Sequence, residues 1–171
     1  NMTDRDFTVT ARVRTKKDGT IFSKSAAADD WVPNGKTLFV RRGRLCYDIG
    51  WVGAAQSRMR IDDGQWHNVA VTFASKIGKV SLHVDGQLQG QRKLRPKEDV
   101  DGHVVRLGYT AGDFPRPESA WQGEIAEVRF YQCSLEPDQT NAVDSVDADH
   151  LRACWQLAAA EEKTLSDASG H

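Results

Sequence analysis

Two carboxylates stand three residues apart in the segment GEIAEVRFY, residues 123–131: Glu124 and Glu127. Paired carboxylates are the machinery of glycoside hydrolysis, and in retaining enzymes they lie ~5 Å apart. On a strand, side chains alternate between faces, so residues three apart are expected on opposite faces. The positions that a one-faced acidic ladder needs hold Ala126 and Val128 instead. A second candidate is the pair Trp66-His67 in DDGQWHNVAVTF, residues 62–73. A catalytic histidine needs an orienting acid and a nucleophile, and nothing in the sequence supplies that set. His67 shares the parity of Val69 and Val71, which predicts a half-buried, hydrogen-bonded ring at the rim. Trp66 is expected to cover the core edge where the strand enters. No catalytic residue is expected.

Binding chemistry is better represented. Sugar sites need aromatic faces against pyranose rings and planar polar groups for hydroxyls. The loop aromatics are Trp31, Trp51, Phe114 and Trp121. Trp31 lies in the polar turn ADDWVPNG, and Trp51 directly follows CYDIG. Asp48 shares an outward parity with Cys46. Arg58 and Arg60 follow in GAAQSRMR, and Arg12 and Arg14 mark the polar face of the first strand. Trp31, Asp48, Trp51 and Arg58 together suit a polyhydroxylated or anionic glycan. The competing reading has Trp51 covering the core edge and the arginines simply solvated. Trp121, beside the last long strand, is expected to cover the core.

The elements that position these residues are strands. FTVTARVRT alternates Phe7, Val9, Ala11 and Val13 with Thr8, Thr10, Arg12 and Arg14, the pattern of a half-buried antiparallel strand. Arg42-Gly43 and Asp85-Gly86 are two-residue hairpin signals. HNVAVTFA, GKVSLHV, HVVRLGY and GEIAEVRFY are further strands, and turn signals recur every 8–15 residues. The spacing predicts an all-β fold, a two-sheet antiparallel sandwich. One short helix is expected in SLEPDQTNAVDS, with Ser134 as N-cap.

The 171 residues suit a single domain with a real core, and 39% are hydrophobic. A net charge of -1, from 23 basic and 24 acidic residues, gives no global pull toward nucleic acid or membrane. No apolar run approaches the ~20 residues that span a bilayer, so membrane insertion is not expected. Scattered arginines without a basic helix argue against nucleic acid. Of the three cysteines, Cys133 and Cys154 are the best disulfide pair, against a reading of free, buried thiols. The start, NMTDRDFTVT, runs directly into a strand without a signal peptide, as expected of a piece of a longer protein.

DFTVTARVRTKKDGTIFSK, GRLCYDIG, IDDGQWHNVAVTF, GKVSLHVDGQLQG, VVRLGY and WQGEIAEVRFYQCSLEPDQ occur in this order. The series resembles the laminin G-like, concanavalin A-like jelly-roll family, of the bacterial type found in multidomain secreted enzymes. It covers about residues 4–139. The resemblance implies a concanavalin A-like sandwich and a noncatalytic carbohydrate-binding or adhesion module of a larger extracytoplasmic protein. Its partner would be a polysaccharide, a glycan or a protein surface. A structural spacer in a repeat array, or a glycoside hydrolase or lyase of the same fold, are the alternatives. The resemblance also implies a structural Ca²⁺ in a loop. Asp29, Asp30, Asp113 and Asp167 are the oxygen-rich positions, while the Asp often found in the closing strand is Ala126 here.

Family members usually begin with an extra strand that this N-terminus lacks, yet LRACWQLAAAEEKTLSDASGH, residues 151–171, has that form. We divide the chain into a core at 1–139, a linker at 140–150 and this final strand and turn. The last part either completes the sandwich or opens a second repeat. An open edge is costly, which favours completion. Deleting residues 150–171 is then expected to lower solubility and melting temperature. An unchanged, monomeric domain in thermal melts would favour the second repeat.

Overall fold

The computed structural model describes residues 1–146 and 148–157. Its described strands are β1 (Phe7–Thr15), β2 (Gly19–Ser25), β3 (Lys36–Arg41), β4 (Arg44–Ile49), β5 (Gly53–Arg60), β6 (Trp66–Ala74), β7 (Lys79–Val84), β8 (Gln87–Lys93), β9 (Val104–Leu107), β10 (Gly123–Tyr131) and β11 (Leu151–Gln156). They form a six-stranded sheet, β11-β10-β1-β6-β7-β8, and a five-stranded sheet, β5-β4-β3-β2-β9. Every pairing between these strands is antiparallel. No described helix is long and apolar enough to cross a membrane.

The period-two pattern explains the packing. Phe7, Val9 and Val13 face inward beside Val69, Val71, Phe73, Val80 and Leu82 of the same sheet. Leu38, Val40, Leu45, Tyr47 and Ile49 meet them from the other sheet. Both predicted hairpins form, with positive φ at Arg42 (52°) and Gly43 (73°), and at Asp85 (50°) and Gly86 (75°). Two consecutive left-handed residues match the twist of the flanking strands. Asp18 pins the first hairpin by accepting from the N–H groups of Arg42 (2.8 Å) and Gly43 (3.0 Å).

Each outer face is partly roofed by a loop. Over the five-stranded sheet, the Thr110 hydroxyl lies 2.9 Å from that of Thr20 and 2.7 Å from that of Thr37. Over the six-stranded sheet, Thr8 Oγ1 donates to the Cys133 carbonyl (2.8 Å) and accepts from Leu135 N–H (3.0 Å). The helix expected in SLEPDQTNAVDS does not form as a unit. Thr140 N–H donates to the Glu136 carbonyl and Ala142 N–H to that of Asp138, and a 3-10 turn follows at Val143–Ser145. Thr140, Asn141 and Val143 are weak helix formers, so single turns do not propagate. The segment GAAQSRMR, given no element above, is strand β5.

β11 pairs with β10, setting Trp155 opposite Val128. Trp155 packs against the core and its ring lies 6.5 Å from Phe22 of the facing sheet. The DASGH turn, with Asp167, lies outside the described residues. All three cysteines are free thiols, so Cys133 and Cys154 form no bridge.

His67 sits at the rim as its parity predicts, 6% exposed. Its Nδ1 lies 2.8 Å from Asp85 Oδ2 and its Nε2 3.1 Å from Asp63 Oδ1. The ring ties the turn before β6 to the β7–β8 hairpin. Burial disfavours its charge, but hydrogen bonds to Asp85 and Asp63 outweigh that and raise its pKa above 6.5. A raised folded-state pKa contributes stability that is complete below the unfolded value and fades as pH rises through the folded one. His67→Ala is therefore expected to cost about 1–2 kcal/mol near pH 5.5. The difference from the parent should shrink toward about pH 8.5, read by urea melts at both pH values.

Candidate functional site

Trp31, Asp48 and Trp51 come together on the outer side of the five-stranded sheet. With Val52 and Gly53 they line a hollow of about 440 Å³. Asp48 stands on β4 between Thr37 of β3 and Ala54 of β5. Tyr47 and Ile49, of opposite parity, are buried in the core. The Asp48 carboxyl makes no hydrogen bond or ion pair with a described residue. Its half-buried position pushes its pKa up to about 6, against the pull of Arg41 and Arg92.

Trp51 is 71% exposed, which removes the reading in which it covers the core edge. Its backbone is left-handed, with φ at 60°. A non-glycine residue there is strained, and surrounding structure must hold it. Val52 N–H donates to the Ile49 carbonyl at 2.8 Å and closes the turn. Gly50 N–H donates to the Gly35 carbonyl (2.8 Å), and Asn34 N–H donates to the Gly50 carbonyl (3.0 Å). These bonds clamp the turn bearing Trp51 to the turn that follows Trp31.

Trp31 is fixed from its other side. Its ring stacks on Phe114 with centroids 4.7 Å apart and planes within 10°. Phe114 meets Phe39 edge-on at 5.6 Å, and the Arg41 guanidinium lies over both rings. Trp31 N–H donates to Asp113 Oδ1 at 2.8 Å. Phe39 was not singled out from the sequence, although a signal was present. In KTLFVR, Leu38 and Val40 point inward, so Phe39 is a large apolar residue of outward parity.

Arg58 does not join this hollow. It lies four residues beyond Ala54 on β5, about 13 Å along the strand. There its carbonyl accepts a bond from the Arg44 guanidinium. The loop carboxylates implied for Ca²⁺ hold the loops themselves. Asp29 Oδ1 accepts from the Tyr109 hydroxyl (2.6 Å) and Gly112 N–H (3.1 Å), and Asp113 positions Trp31. Asp30 is exposed. Among the described residues, no group of three His, Cys, Asp or Glu side chains could hold a metal ion.

Two expectations for the six-stranded sheet need correction. Trp66 lies on that sheet's outer face, not over the core edge, because its parity is opposite to that of His67. Its ring carries the guanidinium groups of Arg14 at 4.9 Å and Arg12 at 5.5 Å. Glu124 and Glu127 share that same outer face. The register slips at Ala126, so that Arg12 faces Glu127 while Val13 faces Ile125. A β-bulge of one residue restores a common face to residues three apart. Each carboxylate meets an arginine: Glu124 accepts from Arg14 Nε at 2.8 Å, and Glu127 pairs with Arg129 at 2.7 Å.

The sheet order, the two outer faces and the rim aromatics bear on descent. The family model for concanavalin A-like lectins and glucanases matches residues 1–141. The chain belongs to that superfamily. A pentraxin-containing rat protein, the Sushi, von Willebrand factor type A, EGF and pentraxin domain-containing protein 1, is 26% identical over 107 residues. That match spans 56% of this chain and 3% of the rat protein. A candidate carbohydrate binding protein from Bacteroides ovatus superposes over 99% of this chain and 51% of its own, with TM-score 0.72 and 18% identity. The CBM40 module of the Ruminococcus gnavus IT-sialidase, solved with α2,3 sialyllactose, superposes over 82% of this chain and 83% of its own, with TM-score 0.67 and 15% identity. At such identities the superpositions establish the shared fold. This superfamily includes both lectins and glucanases, so the fold leaves function to the site.

An acid whose folded pKa is raised stabilises the fold most below its unfolded pKa, and that contribution fades as pH rises through the folded value. Asp48→Asn is therefore expected to raise stability above pH 6 and to converge with the parent below about 3.8. Allowing for solvent screening, the gain at neutral pH should be about 1–2 kcal/mol, checked by denaturant melts across pH.

Proposed function

We propose that this domain is a noncatalytic carbohydrate-binding module that grips a polyhydroxylated ligand between Trp31 and Trp51, over Asp48. One observation carries the reading: an exposed tryptophan, clamped in a left-handed turn, stands beside a half-buried carboxyl with no hydrogen-bond or ion-pair partner among the described residues. Both features cost stability, and such costs concentrate at functional positions. The aromatic faces suit the apolar side of a pyranose ring, and the carboxylate accepts from its hydroxyls. A carboxylate at the centre favours a neutral glycan over an anionic one at this hollow. The sialyllactose-bound CBM40 and the candidate carbohydrate binding protein, which share the fold, support the ligand class. As part of a larger extracytoplasmic protein, the module would hold its parent against a polysaccharide. Ca²⁺ at a loop, with Asp167 as one oxygen source, remains part of the proposal.

A glycan array followed by titration calorimetry, with and without calcium, tests the reading. Saturable binding is expected. Trp51→Ala should weaken it about tenfold or more while leaving the melting temperature within about 1 °C, because the ring is exposed. Affinity should also rise with pH through about 6, as Asp48 ionises. Silence on the array would favour a spacer. Shortening of a polymer substrate would instead favour a hydrolase using Glu124 and Glu127.

A further inference from the structure

On the outer face of the six-stranded sheet runs a trough of about 870 Å³, walled on one side by Thr140, Asn141 and Asp144. Its floor is a cross-strand row, Asn68–Arg12–Glu127–Gln156, one residue from each of β6, β1, β10 and β11. Neighbouring strands are ~4.8 Å apart, so the row spans about 14 Å. Trp66 and Arg14 flank it.

Most charges in the trough are already matched. Arg14 serves Glu124, and Arg129 serves Glu127 and Asp144, each at 2.7 Å. Arg12 is different. Its guanidinium rests 5.5 Å from the Trp66 ring centre and makes no hydrogen bond or ion pair with a described residue. The Gln156 amide likewise makes no hydrogen bond with a described residue. Asn141 Oδ1 accepts from Asn68 Nδ2 at 2.9 Å, which leaves Asn141 Nδ2 and Asn68 Oδ1 unspent among the described residues. The free groups are thus one planar fork for a carboxylate and a set of planar amides for hydroxyls.

We propose that this trough is a second saccharide site, separate from the Asp48 hollow, and that it takes a carboxylate-bearing glycan. Arg12 receives the carboxylate in a two-pronged hydrogen bond, with Trp66 holding the guanidinium plane. Asn68, Asn141 and Gln156 bond the hydroxyls. An extended peptide is a poorer match, because β1 and β10 are paired on both sides and offer no free strand edge. Nucleic acid is a poorer match because a phosphate backbone needs several cations, and Arg14 and Arg129 are already paired with Glu124, Glu127 and Asp144. With sites on both outer faces, one module could engage two chains of a polysaccharide network.

The test is an amide-resolved NMR titration of the Trp51→Ala protein, in which the first hollow is crippled. The probes are trigalacturonate, sialyllactose and a hyaluronan tetrasaccharide, with maltotriose as the neutral control. At least one acidic probe should shift the signals of Arg12, Asn68, Asn141 and Gln156, and maltotriose should not. Adding Arg12→Ala should weaken that binding tenfold or more without altering the fold's other signals, and Arg12→Lys should recover part of it. The proposal is overturned if none of the acidic probes moves these signals. It is equally overturned if Arg12→Ala leaves the binding intact. Either failure leaves the Asp48 hollow untouched, since that site is read in the parent protein with neutral glycans.

Discussion

Everything in this molecule hangs on the burial of two apolar faces against each other. The central strands carry hydrophobic side chains at every second position, and transfer of that surface from water is worth roughly 25 cal/mol per Å². Phe7, Val9, Val71, Phe73, Leu38 and Tyr47 occupy this seam and are all almost completely inaccessible. Once these residues are committed inward, their neighbours in sequence are committed outward. The two outer faces are therefore by-products of the core, and they are where the chain can recognise something. Threonines on both faces accept a roofing loop through hydroxyl bonds, so only part of each face stays open.

The open parts differ in character. On the five-stranded sheet, rings gather: Trp31 on Phe114, Phe114 on Phe39, with Trp51 projecting freely and Asp48 between. On the six-stranded sheet, charge and amide groups gather, and Trp66 is dressed with arginines. The first face resembles the general form of a stacking site. The second offers hydrogen bonds at fixed spacing along a strand ladder. A β-sheet is suited to both, because its rigid backbone holds side chains at regular intervals with little entropy left to lose.

The histidine and the carboxylates illustrate how chemistry-bearing residues acquire structural work. His67 is held between Asp63 and Asp85, so its polar valence is spent on joining two turns. Glu124 and Glu127 do share a face, as a hydrolase would need, but arginines meet both. Asp48 is the contrast. It has no such partner among the described residues, and burial raises its pKa to about 6. A side chain that weakens the fold and has no matching neighbour among the described residues is what the proposed glycan site rests on.

The sequence by itself determined most of the strands, though not β5, together with the two hairpins and the inward faces, because alternation and Asp-Gly or Arg-Gly turns are local properties of the chain. It also put Trp31 and Trp51 in turns and Asp48 on an outward parity, since loop context and alternation can be read from neighbours. It misplaced Arg58, because distance along β5 separates residues that look adjacent in sequence. It put Glu124 and Glu127 on opposite faces, because one bulged residue, Ala126, reverses parity and bulges are set by the partner strand. The stack of Trp31 on Phe114, the isolation of the Asp48 carboxyl and the row from Asn68 to Gln156 were decided only in three dimensions. They join residues dozens of positions apart, and which strands become neighbours depends on how the two sheets close over a shared core, a property no local pattern contains.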